Sequence, residues 1–154
     1  MLPKVFIYFI LSLSSGLGTG YIKYAPGTFG TLLAALIIIV FNYSFSLSLL
    51  LLMTFLSIII CSIADTIYDE QDSKKITLDE IIGFFVSMYG IPISFQNIFI
   101  CFILFRLFDI FKPFPISFID SRYKNGFGIV ADDIIAGIFT NIIFIIGTYF
   151  LSTL

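Results

Sequence analysis

Apolar residues gather along the chain in six blocks, at about 5–14, 31–41, 45–64, 81–91, 97–108 and 133–151, separated by turn signals or charges. No block alternates with the strict period of two that a barrel strand needs, so the pattern predicts an all-α protein. Only 45–64 and 133–151 approach the roughly 20 residues that a hydrocarbon core of ~30 Å demands. The other blocks are shorter, which predicts a polytopic membrane helical bundle with several short, tilted or half-depth helices.

Composition supports that picture. Of the 154 residues, 59% are hydrophobic and only 12% charged, against roughly 45–50% and 25% in soluble domains, and mean hydropathy is +1.10. No Pro/Ser/Gly linker or charged tail divides the chain, so 1–154 reads as a single membrane-embedded domain. Tyr21, Tyr24, Tyr68, Tyr89 and Tyr123 are the aromatic anchors available at an interface, since Trp is absent. The block after Lys4 resembles a signal h-region, but Ser14 to Gly18 is a poor cleavage site, and the segment is expected to be retained. A net charge of −2 gives no field for nucleic acid. Cys61 and Cys101 lie in apolar stretches without metal-type spacing and read as small buried hydrophobes. Nothing in the pattern fixes an oligomeric state.

The placement of charge is more informative than its amount. Every Asp and Glu lies within 65–80 or 109–133, and all the basic residues except Lys4 and Lys23 lie in or beside the same stretches. The turns at 41–44 and 89–94 carry no charge. If each block from 31 onward turns the chain over, the loops at 15–30, 65–80 and 109–132 share one face. The Lys/Arg bias makes that face cytoplasmic. Any membrane protein keeps its charges at the edges, because ionised groups in hydrocarbon are costly. A purely structural bundle, however, needs polar caps at both faces.

Four local patterns carry candidate chemistry. The Gly/Thr-rich run from Gly16 to Thr31 leads into an apolar helix. Its glycines permit close backbone approach, Thr28 or Thr31 could cap the helix, and free N–H groups at a helix start favour an anion. In the second, which begins at Asp72, the adjacent carboxylates Asp79 and Glu80 open a hydrophobic helix. They either complement its positive end or offer the hard oxygen ligands that Mg²⁺ requires. In the third, Arg106, Asp109 and Lys112 recur every three residues along one helix face until Pro113 stops it. In the fourth, Asp132 and Asp133 repeat the acidic pair ahead of the last apolar block. Two such pairs could hold one or two divalent ions, leaving Arg106, Lys112 and Lys23 for a phosphate.

The succession P-G-T-x-G, D-x6-D-E-x-x-G, F-R-x-x-D-x-x-K-P-x-P-I and G-x-G-I-x-x-D-D-x-x-A-G, from about Gly16 to Gly137, resembles the phosphatidylglycerophosphatase A family. Thr31, Val130 and Asn125 depart from the usual Ser, Met and Gly of that pattern, and none of these changes removes a charge. Asp65, Asp69 and Glu70 match no motif and are left out of the site. The resemblance implies Mg²⁺-dependent removal of the terminal phosphate from phosphatidylglycerophosphate to give phosphatidylglycerol, a step of phospholipid biosynthesis. It places that activity at the cytoplasmic face of a bacterial inner membrane.

On this reading Asp79, Glu80, Asp132 and Asp133 hold the metal. Lys23, Thr28, Arg106 and Lys112 serve the phosphate, and Asp109 is a further ligand, a base or the partner of Arg106. The absence of His removes His-dependent phosphatases and Ser-His-Asp triads. Arg106 follows Cys101 by five positions rather than the six of a cysteine-phosphatase loop, and no Asp-x-Asp pattern is present. A water activated by the metal and an Asp nucleophile both stay open. The alternative from another class is a small transporter or channel subunit for an ion or organic anion, whose charges would bind the solute in passage.

Overall fold

The computed structural model describes residues 3–42, 44–69 and 73–153; Tyr43, Glu70 and Asp72, all considered above, lie outside the described residues. Among those described are seven α-helices and no strand. They are α1 (Lys4–Ser14), α2 (Pro26–Phe41), α3 (Leu47–Tyr68), α4 (Leu78–Ser87), α5 (Phe95–Phe111), α6 (Ile116–Arg122) and α7 (Gly126–Ser152), with a 3-10 turn at Thr19–Tyr21. The protein is an all-helical membrane bundle.

Among the described residues, only α3 and α7, at 22 and 27 residues, are long and apolar enough to cross a membrane. At 1.5 Å per residue α2 and α5 reach about 25 Å, and α1 and α4 only about 16 Å. The short α4 is nevertheless the centre of the bundle. Ile81, Ile82, Phe84 and Phe85 are buried, and the Phe84 ring meets that of Phe105 edge-on at 5.9 Å. The longer helices surround α4 and present Leu36, Leu51, Phe99 and Ile145 outward, as surfaces against lipid tails do.

Lipid tails are as apolar as leucine, so close packing rather than water exclusion joins membrane helices. Here α4 and α7 pack through glycines. A Cβ on Gly137 would collide with the Gly83 carbonyl oxygen, and one on Gly83 would lie 2.7 Å from the Asp133 carbonyl oxygen. Asp79 precedes Gly83 by four residues and Asp133 precedes Gly137 by four, a spacing that returns to the same helix face. The glycine contact therefore brings the two carboxylates together one turn away.

Helix boundaries follow local chemistry. Ser46 and Ser94 cap α3 and α5 by accepting from the Leu49 and Asn97 N–H groups. α5 ends at Lys112, whose φ of 42° is left-handed, directly before Pro113. α2 starts earlier than the apolar block suggests, with Pro26 at its first position, where a missing N–H is harmless. Neither Thr28 nor Thr31 caps it: α2 has no side-chain cap, and the Thr31 hydroxyl donates to the Gly27 carbonyl instead. α7 starts at Gly126 because Asn125 accepts from the Gly128 N–H at 3.0 Å. Asp132 and Asp133 thus lie about two turns inside α7 and not at its head, a correction to the sequence pattern. The extension is permitted because Gly126 lies against Ser62 of α3, where a Cβ would clash.

The short helix α6 has no counterpart in the apolar blocks. Its residues Ile116–Arg122 follow Pro113 and Pro115 and pack against α7.

Candidate active site

A cleft of about 210 Å³ opens at the end of the bundle where the loops 15–30, 65–80 and 109–132 meet. Five carboxylates line it, Asp79, Glu80, Asp109, Asp132 and Asp133, along with two lysines, Lys74 and Lys112. The start of α4, the end of α5, a stretch about two turns inside α7 and the loop holding Lys74 supply these groups, and the uncharged turn at 89–94 lies at the far end.

Three of the carboxylates form a tight group. Asp79, Glu80 and Asp133 each offer an oxygen, and the three oxygens lie within 4.8 Å of one another. Asp79 and Asp133 are 9% and 3% exposed, and Asp79 Oδ1 and Glu80 Oε2 are buried without a hydrogen-bond partner. Burial first of all, with the surrounding carboxylates, pushes both Asp79 and Glu80 above the ordinary carboxylate range. Packing acidic groups so closely without compensation costs several kcal/mol per ion. The arrangement fits a cation whose ligands are hard oxygens.

Helix capping does not explain the acidic pair of α4. Thr77 and Glu80 have the spacing of a capping box, yet the Thr77 side chain caps nothing. Its hydroxyl pairs with that of Thr19 at 2.9 Å, and its N–H donates to the Ser14 carbonyl. Glu80 turns instead towards α2. A Cβ on Gly27 would overlap Glu80 Oε1 and approach Arg106 Nη1 to 3.2 Å, so only glycine at this position leaves room for both.

The other glycines of the Gly/Thr-rich run serve a different purpose. Gly16 and Gly30 press on Thr77, and Gly20 presses on the Lys75 carbonyl. Their close approach is to the chain's own segment 75–77 ahead of α4, which anchors the stretch that delivers Asp79 and Glu80.

Each cation near residue 110 has an acidic partner. Arg106 pairs with Asp109 at 2.5 Å, both 14% exposed, while Arg106 Nη1 lies 3.5 Å from the Thr31 hydroxyl and Arg106 Nε has no partner. Lys112 Nζ bridges Asp132 at 2.6 Å and Asp120 at 2.7 Å. Burial alone would lower the Lys112 pKa, but these two carboxylates outweigh it and hold the ammonium above its usual range. Asp132 is further engaged by the Asp133 N–H. Of the four carboxylates expected to hold a metal, Asp79, Glu80 and Asp133 converge, while Asp132 binds Lys112.

Of the four expected phosphate ligands Lys112 lines the cleft, Arg106 lies behind its wall against Gly27 and Glu80, and two stand apart. Lys23 is exposed, with its ammonium 5.5 Å from the centre of the Tyr24 ring, and does not line the cleft. Thr28 is half-buried on the first turn of α2, beside the cleft wall rather than in it. Conversely, Lys74 lines the cleft and Asp120 holds Lys112 at its wall, and neither is a site residue by sequence. Asp120 follows Lys112 by eight residues, and only the reversal at Pro113 and Pro115 brings it back; the two prolines were the available signal.

The sequence model described as Phosphatidylglycerophosphatase A matches residues 12–148, which include every group named above. The chain belongs to the phosphatidylglycerophosphatase A family. A phosphatidylglycerophosphatase A from Haemophilus influenzae is 36% identical over 136 residues, covering 85% of this chain and 83% of its own length. One from Escherichia coli is 29% identical, covering 88% and 81%. A Bacteroides thetaiotaomicron protein, provisionally named a phosphatidylinositol-3-phosphatase, is also 29% identical, covering 85% and 88%. No solved structure matches the chain. Membership in the phosphatidylglycerophosphatase A family makes this protein an enzyme, a phosphoric monoester hydrolase.

Proposed function

We propose that this enzyme hydrolyses the terminal phosphate of phosphatidylglycerophosphate, with Mg²⁺, at the cytoplasmic face of a bacterial inner membrane, giving phosphatidylglycerol and inorganic phosphate. The observation that carries the reading is the convergence of Asp79, Glu80 and Asp133 oxygens within 4.8 Å, two of their oxygens unpartnered, in a cleft at the lipid edge. A phosphate monoester is dianionic near pH 7 and would be repelled by five carboxylates facing Lys74 and Lys112. A divalent cation resolves that conflict.

Asp79, Glu80 and Asp133 would hold the ion. Bound there, Mg²⁺ supplies positive charge to phosphoryl oxygens and lowers the pKa of water. Arg106, behind the cleft wall with its Nε–H buried and unpartnered, has its guanidinium aimed by Asp109 and is the residue type suited to two-point contact with phosphate. Lys112 is held between Asp120 and Asp132 at the cleft wall, where it adds a point charge. In the reaction a water oxygen bonds to phosphorus, the ester P–O bond breaks, and a proton ends on the glycerol oxygen that leaves.

The cytoplasmic orientation is supported by Lys23, Lys74, Lys75, Arg122 and Lys124, which all belong to the charged loops. Purified full-length protein in detergent, given phosphatidylglycerophosphate, should release inorganic phosphate with Mg²⁺ and none with a chelator. Faster turnover of phosphatidylinositol 3-phosphate would overturn the substrate assignment, and chelator-resistant turnover would overturn the metal.

A further inference from the structure

An apolar groove of about 330 Å³ runs between α2 and α5 on the lipid-facing side. Its α2 wall is Leu32, Leu36 and Ile39, and its α5 wall is Phe95, Phe99 and Phe102; Ala35, almost fully buried, forms the floor. The two helices run antiparallel. Each wall continues into the charged end of the bundle along its own helical stripe. On α2 the stripe Ile39, Leu36, Leu32 returns every three or four residues to Thr28 and ends beside Pro26, which rims the polar cleft. On α5 the stripe Phe95, Phe99, Phe102 reaches Arg106 and then Asp109, which also rims the cleft. Along α2 the groove runs from Leu32 to Ile39, about 10 Å or roughly one third of a ~30 Å hydrocarbon core, and Pro26 lies about 9 Å beyond it.

A second apolar groove, between α3, α4 and α7, lacks this connection. Ile134 and Thr54 lie at its end nearest the charges. From Thr54 the α3 stripe continues to Ile58 and Cys61, and from Ile134 the α7 stripe continues to Val130; none of these three residues lines the polar cleft. Its opposite end holds Tyr89 and Asn141, at the uncharged face.

We propose that the α2–α5 groove seats an acyl chain of the lipid substrate, which enters sideways from the bilayer with its phosphate leading into the cleft past Arg106. This rests on the cleft being a lipid-phosphate site and adds where the tail lies. Gly27, which makes room for Glu80 and Arg106 at the top of α2, is then the junction between head-group and tail sites. Leu36 and Phe99 are each more than half exposed, so they contribute apolar wall without being needed by the core.

The test uses a diacyl phosphate monoester lipid, phosphatidic acid with a diazirine midway along one acyl chain, photolysed with the full-length protein in detergent micelles. Labelled peptides should map to 32–39 and 95–102. That labelling should fall with excess unlabelled phosphatidic acid and persist with excess phosphatidylcholine. Leu36→Trp should cut both the labelling and the kcat/KM for a long-chain phosphatidylglycerophosphate about tenfold, the scale of a disturbed hydrophobic subsite. The same variant should leave turnover of the deacylated head group unchanged. Leu51→Trp, in the other groove, should change neither. Labelling concentrated at 47–54 and 134–141, labelling that phosphatidic acid does not displace, or equal losses on acylated and deacylated substrates would each overturn the groove assignment. Displaceable labelling at 32–39 and 95–102 by a protein that releases no phosphate would keep the groove and refute the phosphatase reading.

Discussion

The two ends of the bundle solve the same problem in opposite ways. Both must satisfy polar groups where helices meet the membrane boundary. At the uncharged end the solution is local and neutral: Asn141 donates to the Ser87 and Tyr89 carbonyls, and Asn97 donates to that of Pro92. At the charged end, Arg106, Lys112, Asp120 and Asp132 are paired while Asp79 and Glu80 each keep a buried oxygen without a partner. One end is finished by the protein alone. The other leaves a gap that suits an ion and a phosphate. Structural need is met without ionised groups at the neutral end, so the concentration of carboxylates at the other is attributable to chemistry.

The comparison is broken most severely by Asp133→Asn or Asp79→Asn. If the convergent carboxylates serve the reaction, each variant should lower phosphate release on the order of 10²–10³-fold, the cost of removing one electrostatic element at a reacting centre. Each should also keep a monodisperse, helical protein, because loss of one negative charge relieves repulsion. Phosphate release alongside circular dichroism checks both, and normal turnover would remove these residues from the site.

Gly83→Ala attacks the geometry rather than the charge. The new methyl would lie 2.7 Å from the Asp133 carbonyl and 2.9 Å from the Phe105 ring. Overpacking of this kind costs about 1–3 kcal/mol. The thermal midpoint, followed by a thiol dye reporting exposure of the buried Cys61 and Cys101, should fall. The Mg²⁺ concentration for half-maximal activity should rise, because α4 and α7 carry ligands on either side of that contact. A fall in the midpoint with an unchanged Mg²⁺ requirement would separate packing from the site.

Sequence periodicity made the helical class, the long α3 and α7 and the one-sidedness of the charges legible, because each depends on apolar length or on the cost of burying charge. The motifs identified the residues that reach the cleft, but not how they divide. Asp132 and Asp133 are adjacent and chemically equivalent on paper. A 100° turn of α7 sends one to Lys112 and the other to Asp79 and Glu80, and only the Gly83–Gly137 contact determines which. Lys23 was legible only as a cation left over for phosphate once the carboxylates take a metal; most glycines of its loop make room for the chain's own segment 75–77. The start of α7 at Gly126 is not legible in hydropathy, which places the apolar block at 133; close packing of Gly126 against Ser62 and of Gly128 against Tyr123 is what allows the earlier start.

At the neutral end, Asn141→Leu removes two donated hydrogen bonds across α4 and α7. Interhelical hydrogen bonds in membranes are each worth about 0.6–2 kcal/mol. The thermal midpoint should drop by a corresponding amount while kcat and the Mg²⁺ requirement stay within about twofold of wild type, which is the signature of an end with no chemistry. A large loss of activity here would mean that the two ends are coupled through α7.

The smallest effect is expected at the rim of the charged end. Burial pushes the Asp120 carboxyl up, but its hydrogen bond and charge contacts with Lys112, aided by Lys124, prevail and leave it below the ordinary range. A depressed carboxyl stabilises the fold above its unfolded pKa of about 3.9, and that contribution is lost as pH falls through the folded value. Asp120→Asn never ionises, so its stability deficit against wild type should be present at about pH 5 and shrink below about pH 4. With the Asp120 side chain 29% exposed, solvent screening keeps the deficit below about 1 kcal/mol. Lys112 does not complicate the profile, because its raised pKa keeps it charged throughout that window. Thermal midpoints of both proteins across the pH series measure the difference directly. A deficit that grew on acidification would mean that Asp120 is held protonated in the fold, and Lys112 would then depend on Asp132 alone.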